Sequence, residues 1–234
     1  VKRYNPHDVC ELNYSKKSST HLFNSPALEV LLSEMRKEST KGEHFRQTGH
    51  MACMYVLATL LDAFDTTWKV KDVVTETGKG HALYYGGDAE IVLLLRASLL
   101  FLPALRMLMG ARAQNKNIIF LDAKRRYRQD GSIYAEITRG QIQEKLDPNK
   151  LFLLFDPMGA TCVSAIAAIK EFVKRGANPG NFRIVTLFTV WEFFSALSKE
   201  FGHMNSHTGC INGDLNKKFY IEGQVIEHNW YPIE

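Results

Sequence analysis

The sequence predicts an α/β fold, and three observations carry that expectation. Residues 151–155, Leu-Phe-Leu-Leu-Phe, are an unbroken apolar run of strand length, the pattern of a strand buried on both faces. Behind them come Asp156 and Pro157, the small residues Gly159, Ala160, Thr161 and Ser164, and then Ala165, Ile166, Ile169 and Val173 at helical spacing until Gly176. Short apolar runs alternate with helical patterns along the rest of the chain, and 45% of its 234 residues are hydrophobic, ample for one large domain or two small ones.

In chain order, residues 1–25 are polar and mixed in charge and read as an extended arm, which leaves 26–234 as the folded domain. Pro26 opens a helix through Leu28, Leu31, Leu32 and Met35, because a missing N–H costs little in the first turn. A second helical pattern runs from Glu43 through Phe45, Met51, Met54, Leu57 and Leu61. Residues 70–75 and 91–95 read as strands, with Gly78, Gly80, Gly86 and Gly87 marking turns between them, and the second strand ends in Arg96-Ala97-Ser98.

A helix over 99–109 and a strand over 117–121 lead into residues 124–128, four of which are basic. Residues 127–138 read as a solvated hairpin turned at Asp130-Gly131, though a basic loop with an aromatic can also lie along RNA phosphates. Further on, residues 182–188 alternate as a strand and 191–201 read as a short helix. His203, His207 and Cys210 have a loose zinc-ligand look, but Gly202, Asn205 and Gly209 put them in a loop without a fourth ligand.

The turn after residue 155 carries the chemistry. A helix start leaves backbone N–H groups unpaired and partly positive, so small residues there let a phosphate come close, with the Thr161 and Ser164 hydroxyls to add. Asp156, at the carboxyl end of a strand, stands where it can accept hydrogen bonds from sugar hydroxyls. An ordinary strand-to-helix connection with Ser164 as N-cap is the equal alternative. Arg96 has the same two readings, an ion pair at a strand end or a fork for an anion.

The totals bound the class. With 29 basic and 25 acidic side chains, the net charge of +4 permits an anionic ligand or a nucleic-acid partner and requires neither. Four cysteines without a C-x-x-C pair suggest reduced thiols and an intracellular protein, mitochondrial or cytoplasmic. The start at Val1 is compatible with a removed targeting peptide or a trimmed chain. Arg96 and Arg106 interrupt the longest apolar runs, so no membrane span is expected.

Asp156-Pro157-Met158, Ala160-Thr161 and Ser164-Ala165 resemble the D-P-M-L-A-T-G-G-S-A loop of uracil phosphoribosyltransferases. Residues 26–46, opening in a Leu-rich helix and closing on Phe45-Arg46, are similar to that family's start, and Asp214-Leu215-Asn216 with Tyr220-Ile221 to its D-x-x-L-N-x-x-G-Y-I. The resemblance implies a type I phosphoribosyltransferase fold: a mainly parallel central sheet flanked by helices, with a small hood partly from 26–85 and 203–234, and a dimer. It implies that Asp156 meets the ribose of 5-phosphoribosyl 1-diphosphate (PRPP), that Ala160, Thr161 and Ser164 wrap its 5-phosphate, and that Arg96 meets its diphosphate. It makes Lys124, Arg125 and Arg126 part of a mobile flap, and puts Glu227 where the family has an Asp that helps hold PRPP and its magnesium.

The departures set the functional expectation. Leu, Gly and Gly of the loop pattern are Gly159, Cys162 and Val163 here, and glycines elsewhere in the pattern have become Ser98 and Phe193. The glycine-rich hood that grips uracil is replaced by residues 222–234, with Gln224, Ile226 and Asn229 where glycines stood. Bulk at such places opposes close backbone approach to a ligand. The expected protein is a non-catalytic structural or regulatory subunit of a larger assembly, in contact with protein or RNA; the alternative is an active enzyme making UMP from uracil and PRPP with Mg.

Overall fold

The computed structural model describes residues 9–15, 18–23, 25–63, 68–110, 118–213, 215–216 and 221. Val9–Ser15 (β1) and Ser18–Phe23 (β2) are an antiparallel pair. Pro26–Arg36 (α1) begins where the Ser25 hydroxyl accepts from the Leu28 N–H at 3.4 Å, and it buries Leu28, Leu32 and Met35. Gly42–Asp62 (α2) packs on it and buries, among others, Phe45, Ala52, Val56 and Leu60. Trp68–Thr75 (β3) and Gly78–Tyr85 (β4) form a separate antiparallel hairpin.

Glu90–Leu95 (β5) runs through a 3-10 turn, Ala97–Phe101, into Leu102–Met109 (α3). The antiparallel pair Ile118–Tyr127 (β6) and Ile133–Gly140 (β7) follows. Next come Phe152–Phe155 (β8), the two-residue Met158–Gly159 (β9) and Val163–Val173 (α4). Phe182–Thr189 (β10), Trp191–Phe201 (α5) and Asn205–Ile211 (β11) complete the described elements.

The main sheet has the order β1-β2-β11-β10-β8-β5-β6-β7, with β9 paired to β10. Pairing is parallel from β2 through β6 and antiparallel at both edges, β1 with β2 and β6 with β7. All four β8 side chains are buried, as a strand with neighbours on both sides and helices on both faces requires. Phe152 stacks on Phe182 at 4.8 Å and meets Phe172 of α4 edge-on at 5.1 Å, while Phe155 meets Phe101 at 4.8 Å.

The structure differs from four of these expectations. In the stretch read as an arm, β2 pairs in parallel with β11 and so extends the sheet. Residues 78–85, whose glycines suggested turns, are strand β4, because Gly80 only faces Val73 across the pair. The strand starting near 117 runs on to Tyr127, since pairing with β7 carries it through the charged residues. The expected loop holding His207 and Cys210 is strand β11: a Cβ on Gly209 would sit 2.7 Å from the Leu187 carbonyl oxygen, so this glycine marks close strand packing, not a turn.

His207 stacks on its register partner His21 at 4.7 Å, with ring planes 11° apart. Burial, then the charges of His21 and Arg183, lower its pKa from 6.5 to about 3. The unfolded chain therefore binds the extra proton between those two values, and stability is lost as pH falls through that window. Replacing His207 with Phe should flatten the fall in unfolding free energy by up to about 1.4 kcal/mol per pH unit. Denaturant titrations across the window would show it; equal slopes in both proteins would rule out this source.

Candidate functional site

The parallel strands β5, β8, β10 and β11 turn their carboxyl ends to one edge of the sheet. From β5 the chain moves to β6 on one side, and from β8 to β10 on the other. The gap between their ends is thus a topological switch point, where open α/β sheets take ligands. The Phe155–Phe101 contact holds the two loops at its rims together.

On the β5 rim the Leu95–Arg96 peptide is cis and the Arg96 side chain is exposed, with no ion pair among the described residues. Ser98 is buried, and its hydroxyl donates to the Leu94 carbonyl inside the turn. Its backbone keeps a negative φ, so this position makes no demand that glycine alone could meet.

On the β8 rim the Asp156 N–H donates to the Val185 carbonyl at 3.0 Å, and its half-buried side chain stands at the strand end. The chain then pairs briefly with β10, Met158 opposite Phe188 and Gly159 opposite Thr189, and the Thr189 hydroxyl donates to the Gly159 carbonyl at 2.8 Å. Ala160 is buried, and the Thr161 Oγ1 is buried with no hydrogen-bond partner among the described residues. Cys162 then takes φ of 64°, the left-handed conformation, as N-cap of α4, and no side chain caps the helix. The residue with a glycine's backbone is therefore Cys162, while Val163 is already helical. Ser164 lies inside the first turn and is not the cap, which corrects the sequence expectation.

The Cys162 thiol is buried, and burial together with the Asp156 carboxylate pushes its pKa well up, so it is a protonated packing group. A Cβ on Gly159 would come within 2.9 Å of both the Phe193 ring and the Thr189 hydroxyl. Phe193 thus fills the space that a side chain at 159 would need.

Lys124, Arg125 and Arg126 lie on β6 beyond Asp122, the partner of Leu95, so the hairpin continues past the end of β5 at the crevice edge. Arg126 pairs with Glu136 at 3.5 Å, and the Arg128 guanidinium lies 4.9 Å over the Tyr134 ring. Glu227 falls outside the described residues, among which no group of three or more His, Cys, Asp or Glu could hold a metal. A cleft of about 810 Å³ runs beside β5 and β6, lined by Asp88, Glu90 and Lys150 at one end and reaching Leu95 and Arg139 at the other. Sequence reasoning missed Thr189 and Asn212, whose N–H donates to the Thr189 carbonyl at 2.7 Å. The signal for both is a polar residue at the end of a strand, too common to single out.

A sequence model of the family described as uracil phosphoribosyltransferase matches residues 22–224. Uracil phosphoribosyltransferase of Mycoplasma mobile is 27% identical over 206 residues, covering 86% of this chain and 92% of that one. The Staphylococcus haemolyticus protein of the same name is 27% identical over 208 residues, covering 87% and 92%. The structure of AQ2163 from Aquifex aeolicus superposes with a TM-score of 0.73 at 21% identity, covering 92% and 99%. Adenine phosphoribosyl transferase from Trypanosoma brucei gives 0.56 at 9% identity, covering 91% and 90%. The fold is thus the type I phosphoribosyltransferase fold, a mostly parallel sheet flanked by helices.

The Gly159–Phe193 contact predicts reciprocity. Gly159→Leu alone should destabilise by about 1–3 kcal/mol through overpacking, and Phe193→Gly alone by about 3–5 kcal/mol through the cavity it leaves. The double variant should recover most of the first loss, since Leu then occupies the vacated volume. Denaturant midpoints decide it: simple additivity of the two losses would show that the positions do not share this space.

Proposed function

Because the chain belongs to the uracil phosphoribosyltransferase family, we propose that its switch-point crevice binds PRPP or the sugar phosphate of a nucleotide, and that it serves a larger assembly as a non-catalytic subunit. The observation that supports binding most is the left-handed Cys162, which keeps the turn of the family pattern's glycine. Beside it are the start of α4, which no side chain caps, and the Thr161 Oγ1, without a partner among the described residues, and on the β5 rim is the exposed Arg96. In this reading the first-turn N–H groups, Thr161 and Ser164 take the 5-phosphate, Asp156 accepts from the ribose hydroxyls, and Arg96 meets the diphosphate.

Loss of transfer rests on the far end of the chain. Base recognition by backbone approach needs small residues, and Gln224, Ile226 and Asn229 stand where the family pattern has glycines. A base whose polar edge is left unpaired in a buried site loses a few kcal/mol for each group. Magnesium would travel on the diphosphate, with Asp156 the carboxylate at the crevice rim. Lys124, Arg125 and Arg126 then contribute a basic rim for a protein or RNA partner, and no transfer step is assigned to them.

The second reading, an active enzyme making UMP from uracil and PRPP, is favoured by relatives of that name matching along 86% of the chain. Calorimetry with PRPP and magnesium, paired with an assay for UMP formation, separates the two. Saturable PRPP binding without UMP is the expected result. Robust UMP formation would install the second reading, and no PRPP binding would remove both.

A further inference from the structure

Arg36, the last residue of α1, reaches the carboxyl edge of the sheet and makes four contacts there. Its Nη1 meets Glu29 Oε1 at 2.6 Å on its own helix. Its Nη2 donates to Cys210 Sγ at 3.0 Å and to Asn212 Oδ1 at 3.1 Å, at the end of β11. Its guanidinium lies 5.4 Å from the centroid of the Phe188 ring, and Phe188 is the register partner of Met158 in the loop after β8. From Asn212 the bonds continue: its N–H donates to the Thr189 carbonyl at 2.7 Å, and the Thr189 hydroxyl donates to the Gly159 carbonyl at 2.8 Å. One side chain on α1 is therefore two residues away, through hydrogen bonds, from the turn that ends in Cys162.

We infer that Arg36 is a positioning residue that couples the segment after β11 to the turn at Gly159–Cys162, so that the end of β11 and the β8 rim of the crevice are set together. The segment after β11 includes the Leu215–Ile221 bridge, where Ile221 is buried. The guanidinium suits the task because one nitrogen serves helix α1 while the other serves β11, a fork that lysine cannot reproduce. Cys210 is suited as the partner: burial pushes its thiol up to about 11, so it stays a neutral, soft acceptor beside the cation.

The role extends the PRPP-binding reading but is testable without ligand. Amide hydrogen exchange is followed at Asn212, bound to the Thr189 carbonyl, and at Ala160, bound to the Met158 carbonyl, with Glu90, bound to the Leu151 carbonyl, as the remote reference. Arg36→Lys keeps the charge for Glu29 and loses the fork. It should speed exchange at Asn212 and Ala160 by about five- to tenfold, the scale of one hydrogen bond, and leave Glu90 unchanged. Asn212→Asp should behave as wild type, and Asn212→Ala combined with Arg36→Lys should be no worse than either alone. Acceleration at all three sites alike, or at none, overturns the proposal. PRPP affinity should fall with Arg36→Lys by a similar factor; a wild-type chain that binds no PRPP removes the ligand reading, and the exchange result still decides the role of Arg36.

Discussion

The structure depends on the burial of one four-residue strand on both of its faces. Phe152 is pressed between Phe172 and Phe182 on one side, and Phe155 against Phe101 on the other. Each fully buried phenylalanine removes apolar surface worth about 1.5–3 kcal/mol from water, and aromatic contact adds about 0.5–1.5 kcal/mol. Their positional effect matters more than their sum. Phe101 belongs to the turn after β5, so its contact with Phe155 sets the distance between the Arg96 and Asp156 rims of the crevice. The site inherits the rigidity of the core because the core's central strand ends in it.

That strand was also the most legible part of the sequence, and for the same reason. A strand buried on both faces has no polar position, so residues 151–155 announce it as an unbroken apolar run, and helical spacing after a small-residue turn announces α4. Elements at the margins were hidden because tertiary pairing decides them. β4 carries two glycines that local rules read as turns, yet the cross-strand partner β3 holds it extended. In β11 the glycine that signalled a loop is there because α1 and β10 leave no room for a side chain, and His207, one of the residues that suggested metal, is stacked on His21 inside the sheet. Conformation at 162 was illegible in another way: cysteine seldom takes a positive φ, and nothing local demands it.

Within the crevice, substitutions that look like decay one by one have structural counterparts. A missing side chain at 159 and an added ring at 193 occupy one volume, as the 2.9 Å approach of a hypothetical Cβ to the Phe193 ring shows. Ser98 satisfies its hydroxyl against the Leu94 carbonyl within its own turn. Such compensation belongs to packing and leaves activity a separate question, because a fold's repaired core says nothing of the chemistry carried at its rim.

The left-handed Cys162 joins these levels. A non-glycine residue in that conformation costs roughly 1–3 kcal/mol and persists only where its surroundings over-determine it. Upstream, β9 is pinned to β10 and the Thr189 hydroxyl fixes the Gly159 carbonyl; downstream, α4 is anchored by buried Ala165, Ala168, Ile169 and Phe172. Two residues, Ala160 and Thr161, are all that is left to bring the chain from the sheet to the helix, and the turn must close left-handed at the next. The cradle is therefore shaped by the protein's own constraints, before any anion arrives. A site formed in this way saves a ligand the entropy of ordering it, and that saving adds directly to affinity. The proposed role of Arg36 follows from the same constraint: once a turn is held by its anchors, whatever loosens an anchor is felt along the turn.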